Sequence, residues 1–403
     1  MKKFLGLLSA FAISTTILPA QYNSENLVLN KDEAVERFSF DKLRIYPITA
    51  NRVFIEAHKS TGNFKPLKKG LEDGTIKIIE RGAVAVEEVS EEANVVQPAN
   101  LLLQDASEEA PAEEPHRDYD GHVQRFEEYQ LNPSQNLNDA SDHQQRQQIR
   151  ISNLNVAQNG LVNDSYDGGG ASDQVNKLFI QNTGKDSVFI MAGEVVKGGK
   201  QDRVIAMDMV IPPNSAPIDL SVFCVEHGRW TYNGSDAADG FTGHANVANT
   251  SVRKAAVVSK NQSEVWSKVD EVTTANDAQT STGTLNALEK DADYQKELKE
   301  YEAKFGDVPT SMPSVIGLVA VTGNRVIGCD MFATPDLFRN AFPDLLKSYA
   351  SEAITSGAKV TITQDAVDKY IANILDESKQ KERVEENGQM FQRGTRTLHI
   401  NAF

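Results

Sequence analysis

Two short stretches of the chain combine charged side chains with glycine at the end of an apolar run. The first is VFIMAGEVVKGGKQDR at 188–203. Its glycines allow close backbone approach to a ligand, its basic residues suit anions, and its glutamate suits acid–base work or a metal. The candidate ligand-binding residues are Lys200, Gln201 and Arg203, and the candidate catalytic residue is Glu194. The alternative is an exposed hairpin whose ion pairs contribute about 0–1 kcal/mol each.

The second stretch is CVEHGRW at 224–230, again where a strand-like run meets glycine and charge. Glu226 is the second candidate catalytic residue, and Arg229 is a further candidate ligand for an anion. Trp230 offers a surface on which a base or a sugar stacks, and it completes the set of candidate ligand-binding residues. The alternative is that Trp230 belongs to the core and that the stem of Arg229 lies over it.

Neither stretch matches a known nucleotide-binding motif. The spacing from Gly193 to the Gly199-Lys200 pair is one residue too long for a phosphate-binding P-loop, and Gln201 replaces the required hydroxyl. No G-x-G-x-x-G segment follows a strand and opens a helix. The seven histidines are scattered and form no ligand-spaced set with the two cysteines, so no metal is predicted. The sequence identifies no cofactor.

Four further reactive side chains have ordinary interpretations. Asp330 ends an apolar strand, a position that turns and caps commonly use. His399 alternates with buried positions and is predicted to be a surface or edge histidine. Cys224 and Cys329 lie in apolar runs, and the sequence leaves open whether they form a disulfide or remain separate buried thiols.

The elements around these stretches mix strands and helices without strict βαβ alternation. This pattern predicts an α+β fold with a mixed, largely antiparallel β core and several packed helices. Pro343 is expected to kink or restart the helix that opens at Thr334-Pro335-Asp336. Strands are predicted as a pair within 36–57, as a pair within 75–86, as a closing hairpin within 390–403, and at 149–156, 175–180, 188–192, 204–211, 218–225, 314–321, 326–332 and 359–363. Helices are predicted at 67–74, 252–272, 285–305, from 335 onward, and from about 364 to 375.

The N-terminal segment has the features of a secretory signal peptide. Lys2 and Lys3 precede an apolar run at 4–18, and Ala20 supplies a small residue at the predicted cleavage site. The run contains serine and threonine and is shorter than the ~20 residues of a spanning helix, which disfavours a membrane anchor. We therefore expect a cleaved segment at 1–20 and an exported protein, periplasmic or secreted.

The rest of the chain is predicted to form a single α+β domain at 35–403. An acidic low-complexity insertion at 87–148 interrupts it, because that segment is rich in Glu, Asp, Gln, Asn and Pro and has no sustained period. The chain has a formal net charge of −16, which repels nucleic acid and anionic membranes. Neither a nucleic-acid partner nor an integral membrane span is expected, and the oligomeric state stays open.

Five segments taken in order resemble the ARG and rhodanese-phosphatase-superfamily-associated protein domain. They are AGEVVKGGKQDR (192–203), CVEHGRW (224–230), QSEVWSKV (262–269), the segment 317–350 and LHINAF (398–403). No established activity comes with the resemblance. The family's name records an association with ADP-ribosylglycohydrolases and phosphatase-like proteins, which implies by analogy a ligand related to ADP-ribose or a nucleotide.

Two functional hypotheses follow. In the first, the exported protein binds a small anionic ligand, ADP-ribose-like or nucleotide-like, in a polar pocket formed by both charged stretches. In the second, it is a cell-envelope interaction or structural protein without catalytic activity. There the charged stretches are structural ion pairs and the acidic insertion is the functional part.

Overall fold

The computed structural model describes residues 21–80, 176–229 and 240–403. The predicted signal peptide at 1–20, the predicted insertion at 87–148, the predicted strand at 149–156 and Trp230 lie outside these residues. Over the described ranges the chain forms helices and mostly antiparallel sheets, which confirms the predicted α+β class.

The first sheet surrounds the hairpin predicted at 314–332. Its strands are β1 (Leu27–Leu29), β2 (Ser39–Phe40), β3 (Leu43–Ala50), β13 (Val315–Thr322), β14 (Arg325–Phe332), β15 (Gly388–Arg393) and β16 (Arg396–Ala402). They run in the order β1-β3-β13-β14-β16-β15 with β2 paired to β3, and every neighbouring pair is antiparallel. All eight residues of β13 are buried, so both faces of the sheet are covered.

A second sheet carries both charged stretches. Its strands are β5 (Ile76–Glu80), β6 (Lys177–Asn182), β8 (Glu194–Gly198), β9 (Arg203–Ile205), β11 (Ile218–Cys224) and β12 (Phe241–Val247). They run antiparallel in the order β12-β8-β9-β11-β6-β5. A small third sheet joins β4 (Lys65–Pro66), β7 (Val188–Ile190) and β10 (Met209–Ile211), in which β4 and β7 are parallel.

The helices cover the sheets. They are α1 (Lys31–Glu36), α2 (Arg52–His58), α3 (Leu67–Glu72), α4 (Thr250–Lys254), α5 (Gln262–Ala275), α6 (Ala292–Phe305), α7 (Val308–Ser311), α8 (Pro335–Ser356), α9 (Gln364–Ile374) and α10 (Gln380–Asn387). One core cluster contains side chains from the first two sheets and from α8, among them Leu318, Val195 and Phe338. Val319 and Ile371 belong to a separate cluster on the other face of the first sheet.

Several predicted elements differ from the structure. The strand predicted at 204–211 is divided between β9 and β10, which belong to different sheets, and the helix predicted at 285–305 is divided between a 3₁₀ turn at 285–289 and α6. The second strand predicted within 36–57 is helix α2, because the Asn51 side chain accepts a hydrogen bond from Phe54 N and caps the helix. The segment 359–363 is not a strand and leads directly into α9. The helix predicted over 252–272 is interrupted, since a π-helical turn at 255–259 ends at Lys260, whose φ of 50° is left-handed.

Helix α8 continues through Pro343, so it does not restart there, which was one of the two predicted outcomes. Thr334 caps it through its hydroxyl and Pro335 occupies its first turn, as the sequence predicts. Within the described ranges, no helix combines the length and the apolarity that a membrane crossing requires. Cys224 and Cys329 are separate buried free thiols.

Candidate functional site

The two charged stretches meet at one end of the second sheet. Strands β9 and β11 pair with Arg203 opposite Cys224, so the turn before β9 lies beside the turn after β11. The first turn depends on Gly198 and Gly199, whose φ values of 136° and 52° are unfavourable for other residues. We call the charged and amide residues gathered here the two-turn cluster: Glu80, Lys200, Gln201, Asp202, Arg203, Glu226 and Arg229.

Arg229 joins the two turns. Its Nη2 lies 2.6 Å from Glu226 Oε2 and 3.3 Å from Asp202 Oδ1, and its Nη1 donates to the carbonyl oxygen of Gly199 at 2.8 Å. Asp202 also accepts from Gly198 N at 3.0 Å and from the Asn286 side chain at 2.5 Å. Asn286 was not singled out by the sequence. These contacts fix the geometry of both turns, because a guanidinium can satisfy several acceptors at once.

Arg203 and Gln201 are more deeply buried than Arg229 and less well satisfied. Arg203 Nη1 donates to the Gln201 carbonyl oxygen at 2.7 Å and to Gln201 Oε1 at 3.3 Å. Its Nη2 lies 3.8 Å from Glu80 Oε1. However, Arg203 Nε and Gln201 Nε2 are buried and have no hydrogen-bond partner among the described residues. Both atoms are donors, so the cluster contains buried donors that no acceptor reaches among the described residues.

The side-chain charges of the two-turn cluster balance. Three acidic groups face three basic ones, and Lys200, with its side chain 46% exposed, is at the rim. Burial raises the pKa of Asp202 and lowers the pKa of Arg203, because desolvation disfavours both charged forms. Burial likewise raises the pKa of Cys224, which makes a thiolate unfavourable beside the cluster.

Glu194 is not part of the two-turn cluster. It begins β8, four residues before Gly198, which places it about 13 Å away along the strand. Its Oε1 lies 3.0 Å from His244 Nε2, and its Oε2 accepts from Met191 N at 2.6 Å. A register shift in β12 lies between His244, which is paired with Val196, and Val247, which is paired with Glu194. Burial raises the pKa of Glu194.

Two adjoining cavities open beside Glu194, and we call them together the Glu194 cleft. The inner cavity, of about 30 Å³, is lined by Phe64, Pro66, Phe189, Met191, Glu194, Leu337, Asn340, Ala341 and Asp344. The outer cavity, of about 210 Å³, is lined by Gly62, Asn63, Phe64, Thr334, Asp336, Leu337 and Asn340. Phe64, Leu337 and Asn340 line both cavities, so the two adjoin.

A third polar centre lies fully inside the protein and was missed by sequence reasoning. It consists of Asp208, Arg253, Asp330 and His399, which we call the buried quartet. Arg253 donates to both oxygens of Asp330, at 2.9 and 2.5 Å. His399 Nε2 lies 3.0 Å from Asp330 Oδ1, and its Nδ1 lies 2.7 Å from Asp208 Oδ2. The side chains of Arg253, Asp330 and His399 are 0% exposed, so the prediction of a surface or edge histidine is wrong.

The charges of the four side chains in the quartet neutralise one another. Both ring nitrogens of His399 face carboxylate oxygens, so both must donate and the ring is an imidazolium. Burial opposes this charge, but Asp208 and Asp330 raise the pKa of His399 to about 9. Burial also opposes the charge of Asp330, yet Arg253 and His399 hold the pKa of Asp330 well below its usual value. Two cations therefore neutralise two anions, and the hydroxyl of Tyr349 donates a further hydrogen bond to Asp330.

The quartet holds the turn that carries Glu194. Ala192 N donates to Asp208 Oδ1 at 2.7 Å, and Arg253 Nε donates to the Ala192 carbonyl oxygen at 3.0 Å. Gly193 has a φ of 97°, and a Cβ there would lie 2.6 Å from Arg253 Cγ. The turn at 191–194 is thus fixed from both sides. A signal for the quartet exists in the sequence, because Asp330 and His399 interrupt apolar runs that predict fully buried strands.

A family model described as ARG and Rhodanese-Phosphatase-superfamily-associated Protein domain matches residues 137–402, more than half of the chain. The matched range contains both charged stretches, the lining residues of the Glu194 cleft from Phe189 onward and the whole buried quartet. No curated protein matches the chain, and no solved structure matches it.

Proposed function

This chain belongs to the family of ARG and Rhodanese-Phosphatase-superfamily-associated Protein domains, and on that premise we propose that it binds a small anionic ligand at the two-turn cluster. One observation carries the proposal. Arg203 Nε and Gln201 Nε2 are buried donors of the same cluster, and neither has an acceptor among the described residues. Gln201 is 0% exposed and Arg203 is 2% exposed.

The unpaired groups select the charge of the ligand. A buried donor without an acceptor costs about 1–3 kcal/mol, so a group that supplies acceptors there gains that energy back on binding. Phosphate and carboxylate oxygens are the acceptors that a guanidinium binds best. Because the three acidic and three basic side chains balance, the cluster has no large positive potential that attracts anions. Specificity for an anion must therefore come from the hydrogen bonds that its oxygens accept. A ligand reaches Arg203 Nε and Gln201 Nε2 only after a local movement of the residues that cover them. The exposed side chain of Lys200 at the rim is the first contact that an anion meets.

The ligand class follows from the family only by analogy. An ADP-ribose-like or nucleotide-like molecule carries phosphates for Arg203 and Lys200, and a base or sugar that Trp230 would stack against. Glu226 is the acid–base candidate inside the cluster. Its carboxylate is positioned there by a hydrogen bond from Asp202 N at 3.3 Å. Glu194 does not serve this site because it lies at the opposite end of β8.

Thermal denaturation with added inorganic phosphate, AMP and ADP-ribose tests this proposal. A ligand present at about 100 times its Kd stabilises the native state by about 2.7 kcal/mol. The informative variant is Gln201→Leu, which removes an unpaired donor without changing charge. The change also removes Gln201 Oε1, which accepts from Arg203 Nη1 at 3.3 Å, but that nitrogen keeps its shorter bond to the Gln201 carbonyl oxygen at 2.7 Å. We therefore expect little change in the stability of the ligand-free protein and a ligand response weakened at least tenfold.

Lys197→Ala is the matched control, because Lys197 lies on the same strand as the turn but pairs with Glu289 at 2.9 Å outside the cluster. The proposal fails if none of the three compounds stabilises the protein. It also fails if Gln201→Leu and Lys197→Ala respond to them equally, since the stabilisation would then arise elsewhere.

Export is a separate part of the proposal and rests on the N-terminal segment alone. N-terminal sequencing of protein recovered from cell fractions tests it. We expect the mature chain to begin at Gln21 in the periplasmic or secreted fraction, whereas an intact Met1 in the cytoplasmic fraction would contradict export.

A further inference from the structure

A surface groove runs along helix α5 and reaches the second turn of the two-turn cluster. Its volume is about 710 Å³, within the range of small-molecule sites and far above that of either cavity in the Glu194 cleft. We call it the α5 groove, and its main lining residues are His227 from the turn and Ser263, Trp266, Ser267, Asp270 and Glu271 from the helix. The helix residues recur at intervals of three and four positions, so they share one face of α5. The segment QSEVWSKV at 262–269 thus supplies part of a ligand-sized groove that the anion site does not use.

Two aromatic rings form one wall of the α5 groove. His227 is exposed and Trp266 is partly buried, and their rings meet edge to face with centroids 4.6 Å apart and planes at 89°. An aromatic surface binds the flat face of a nucleic-acid base, because every base has a π-system. In addition, Trp266 Nε1 is a buried donor with no acceptor among the described residues, so a ligand oxygen or nitrogen that reaches it gains a hydrogen bond.

The α5 groove and the anion site share the second turn. His227 directly follows Glu226, which belongs to the two-turn cluster. Arg203 is opposite Cys224 in the sheet, and His227 is three residues beyond Cys224, which is at most about 11 Å of extended chain. A single nucleotide is therefore long enough to reach from the anion site into the groove.

We propose that the α5 groove binds the base of a guanine nucleotide while the phosphate of the same molecule binds at the two-turn cluster. This assignment rests on the anion site proposed above, and it narrows the ligand from any nucleotide-like anion to one with a guanine base. The base stacks against Trp266 beside His227, and Asp270 accepts hydrogen bonds from its edge. Trp266, rather than Trp230, then contacts the base.

An acidic residue of the groove selects the base. Asp270 is exposed and forms no ion pair with a described residue, whereas Glu271 is paired with Lys268 at 2.8 Å. Asp270 is four positions after Trp266, so the two side chains are neighbours on the helix surface. A carboxylate accepts two parallel hydrogen bonds. Guanine presents a ring N–H and an amino group side by side, whereas hypoxanthine lacks the amino group and adenine has an acceptor nitrogen beside it. Guanine therefore fits Asp270 best.

Isothermal titration calorimetry on the full chain tests the proposal with GMP, IMP and ribose 5-phosphate as probes. All three contain the same sugar phosphate. IMP differs from GMP only in lacking the amino group of the base, and ribose 5-phosphate has no base. We expect GMP to bind at least tenfold more tightly than ribose 5-phosphate and at least threefold more tightly than IMP.

Variants of the groove assign the gain to its residues. Asp270→Asn should weaken GMP binding at least threefold, to the level of IMP, because an amide cannot accept both donors of the base. Asp219→Asn is the matched control, since Asp219 is an exposed acid on β11 outside the groove, and it should bind GMP as the native chain does. Trp266→Leu should lower the affinity for GMP towards that for ribose 5-phosphate. If that variant does not fold, His227→Ala replaces it with the same expected loss, because His227 is exposed.

Tryptophan fluorescence gives a second readout of the stacking contact. The chain has two tryptophans, so Trp230→Phe leaves Trp266 as the only one. A base stacked on the indole quenches its emission. GMP should therefore quench the fluorescence of this variant saturably, and ribose 5-phosphate should not.

Three results would each overturn the proposal: GMP binding no more tightly than ribose 5-phosphate, Asp270→Asn and Asp219→Asn binding GMP equally, or bound GMP leaving the Trp266 emission unchanged. Binding of ribose 5-phosphate without any gain from the base would refute the α5 groove and leave the anion site standing. Absence of binding by all three compounds would refute both. Gln201→Leu should weaken all three ligands by the same factor, because it acts on the phosphate that they share.

Discussion

The buried quartet and the two-turn cluster contain the same kinds of side chain but differ in how completely their hydrogen bonds are made. In the quartet, the carboxylate of Asp330 receives donors from Arg253, His399 and Tyr349, and the side chains of the three charged residues have no exposure. In the two-turn cluster, buried donors of Arg203 and Gln201 have no acceptor among the described residues. A closed network specifies structure, whereas an incomplete one is where a ligand can add interactions.

The two candidate catalytic glutamates, which have equal standing in the sequence, lie in different surroundings. Glu226 is held by Arg229 within the two-turn cluster, while Glu194 faces a cleft and is held by His244. Glu194 depends on the quartet for the position of its turn. The buried quartet therefore supports the turn that carries Glu194. The following variants test how far the quartet and the two-turn cluster differ.

The largest effect is expected for Asp330→Asn. Removing this carboxylate leaves Arg253 as a buried charge without its counterion, which typically costs about 3–5 kcal/mol. Urea denaturation measures the loss in the free energy of unfolding, with Asp219→Asn as the exposed control. A loss below about 1 kcal/mol would show that the quartet does not stabilise the fold as its geometry indicates.

The pH dependence of stability should report His399. Its pKa is raised to about 9 in the folded protein, above the unfolded value near 6.5, so its contribution is complete below about pH 6.5 and is lost as the pH rises through 9. The loss should amount to roughly 3 kcal/mol, from about 2.5 pKa units. Unfolding free energies measured from pH 6 to 10 check this, and His399→Gln should flatten the profile. An equally steep profile in the variant would assign the dependence to other groups.

A smaller effect is expected for Arg229→Gln in the two-turn cluster. The change removes the ion pairs to Glu226 and Asp202, whose acceptors stay largely buried, and should cost about 1–3 kcal/mol. Arg229→Lys keeps the positive charge but lacks the planar guanidinium that donates to several acceptors at once. It should therefore recover only part of the lost free energy of unfolding. If Arg229→Gln destabilised the protein as much as Asp330→Asn, the distinction between an open and a closed network would not hold.

The smallest effect is expected for Lys197→Ala. Lys197 and Glu289 are each 35% exposed, and exposed ion pairs contribute about 0–1 kcal/mol. Chemical denaturation at low and at high salt measures both the size of this contribution and its screening. A loss above about 2 kcal/mol would indicate that the end of the second sheet is more tightly coupled than its exposure suggests.

Sequence patterns predicted much of the fold because the periods they rely on are local. The hairpin at 314–332 and the capped helix after Thr334 follow from turn and capping residues next to each other in the chain. The predictions failed where a local cap or a remote contact decided the outcome. The segment after Asn51 alternates like a strand but forms helix α2, because the Asn51 side chain caps it. Helix α8 continues past Pro343, and the turns on both sides of the proline have buried side chains.

The amino-acid sequence by itself determined the α+β class, the family and the placing of charge beside glycine at strand ends. Only the tertiary structure decided which charges meet. Asp330 is 77 residues from Arg253 along the chain, and His399 is 191 residues from Asp208, yet each pair is in hydrogen-bond contact. Periodicity specifies which face of a strand a side chain occupies, but the partner on that face is set by strand pairing and helix packing over the whole domain. For this reason Glu194 and Arg203, nine positions apart, belong to different sites, while Arg203 and Arg229 share one.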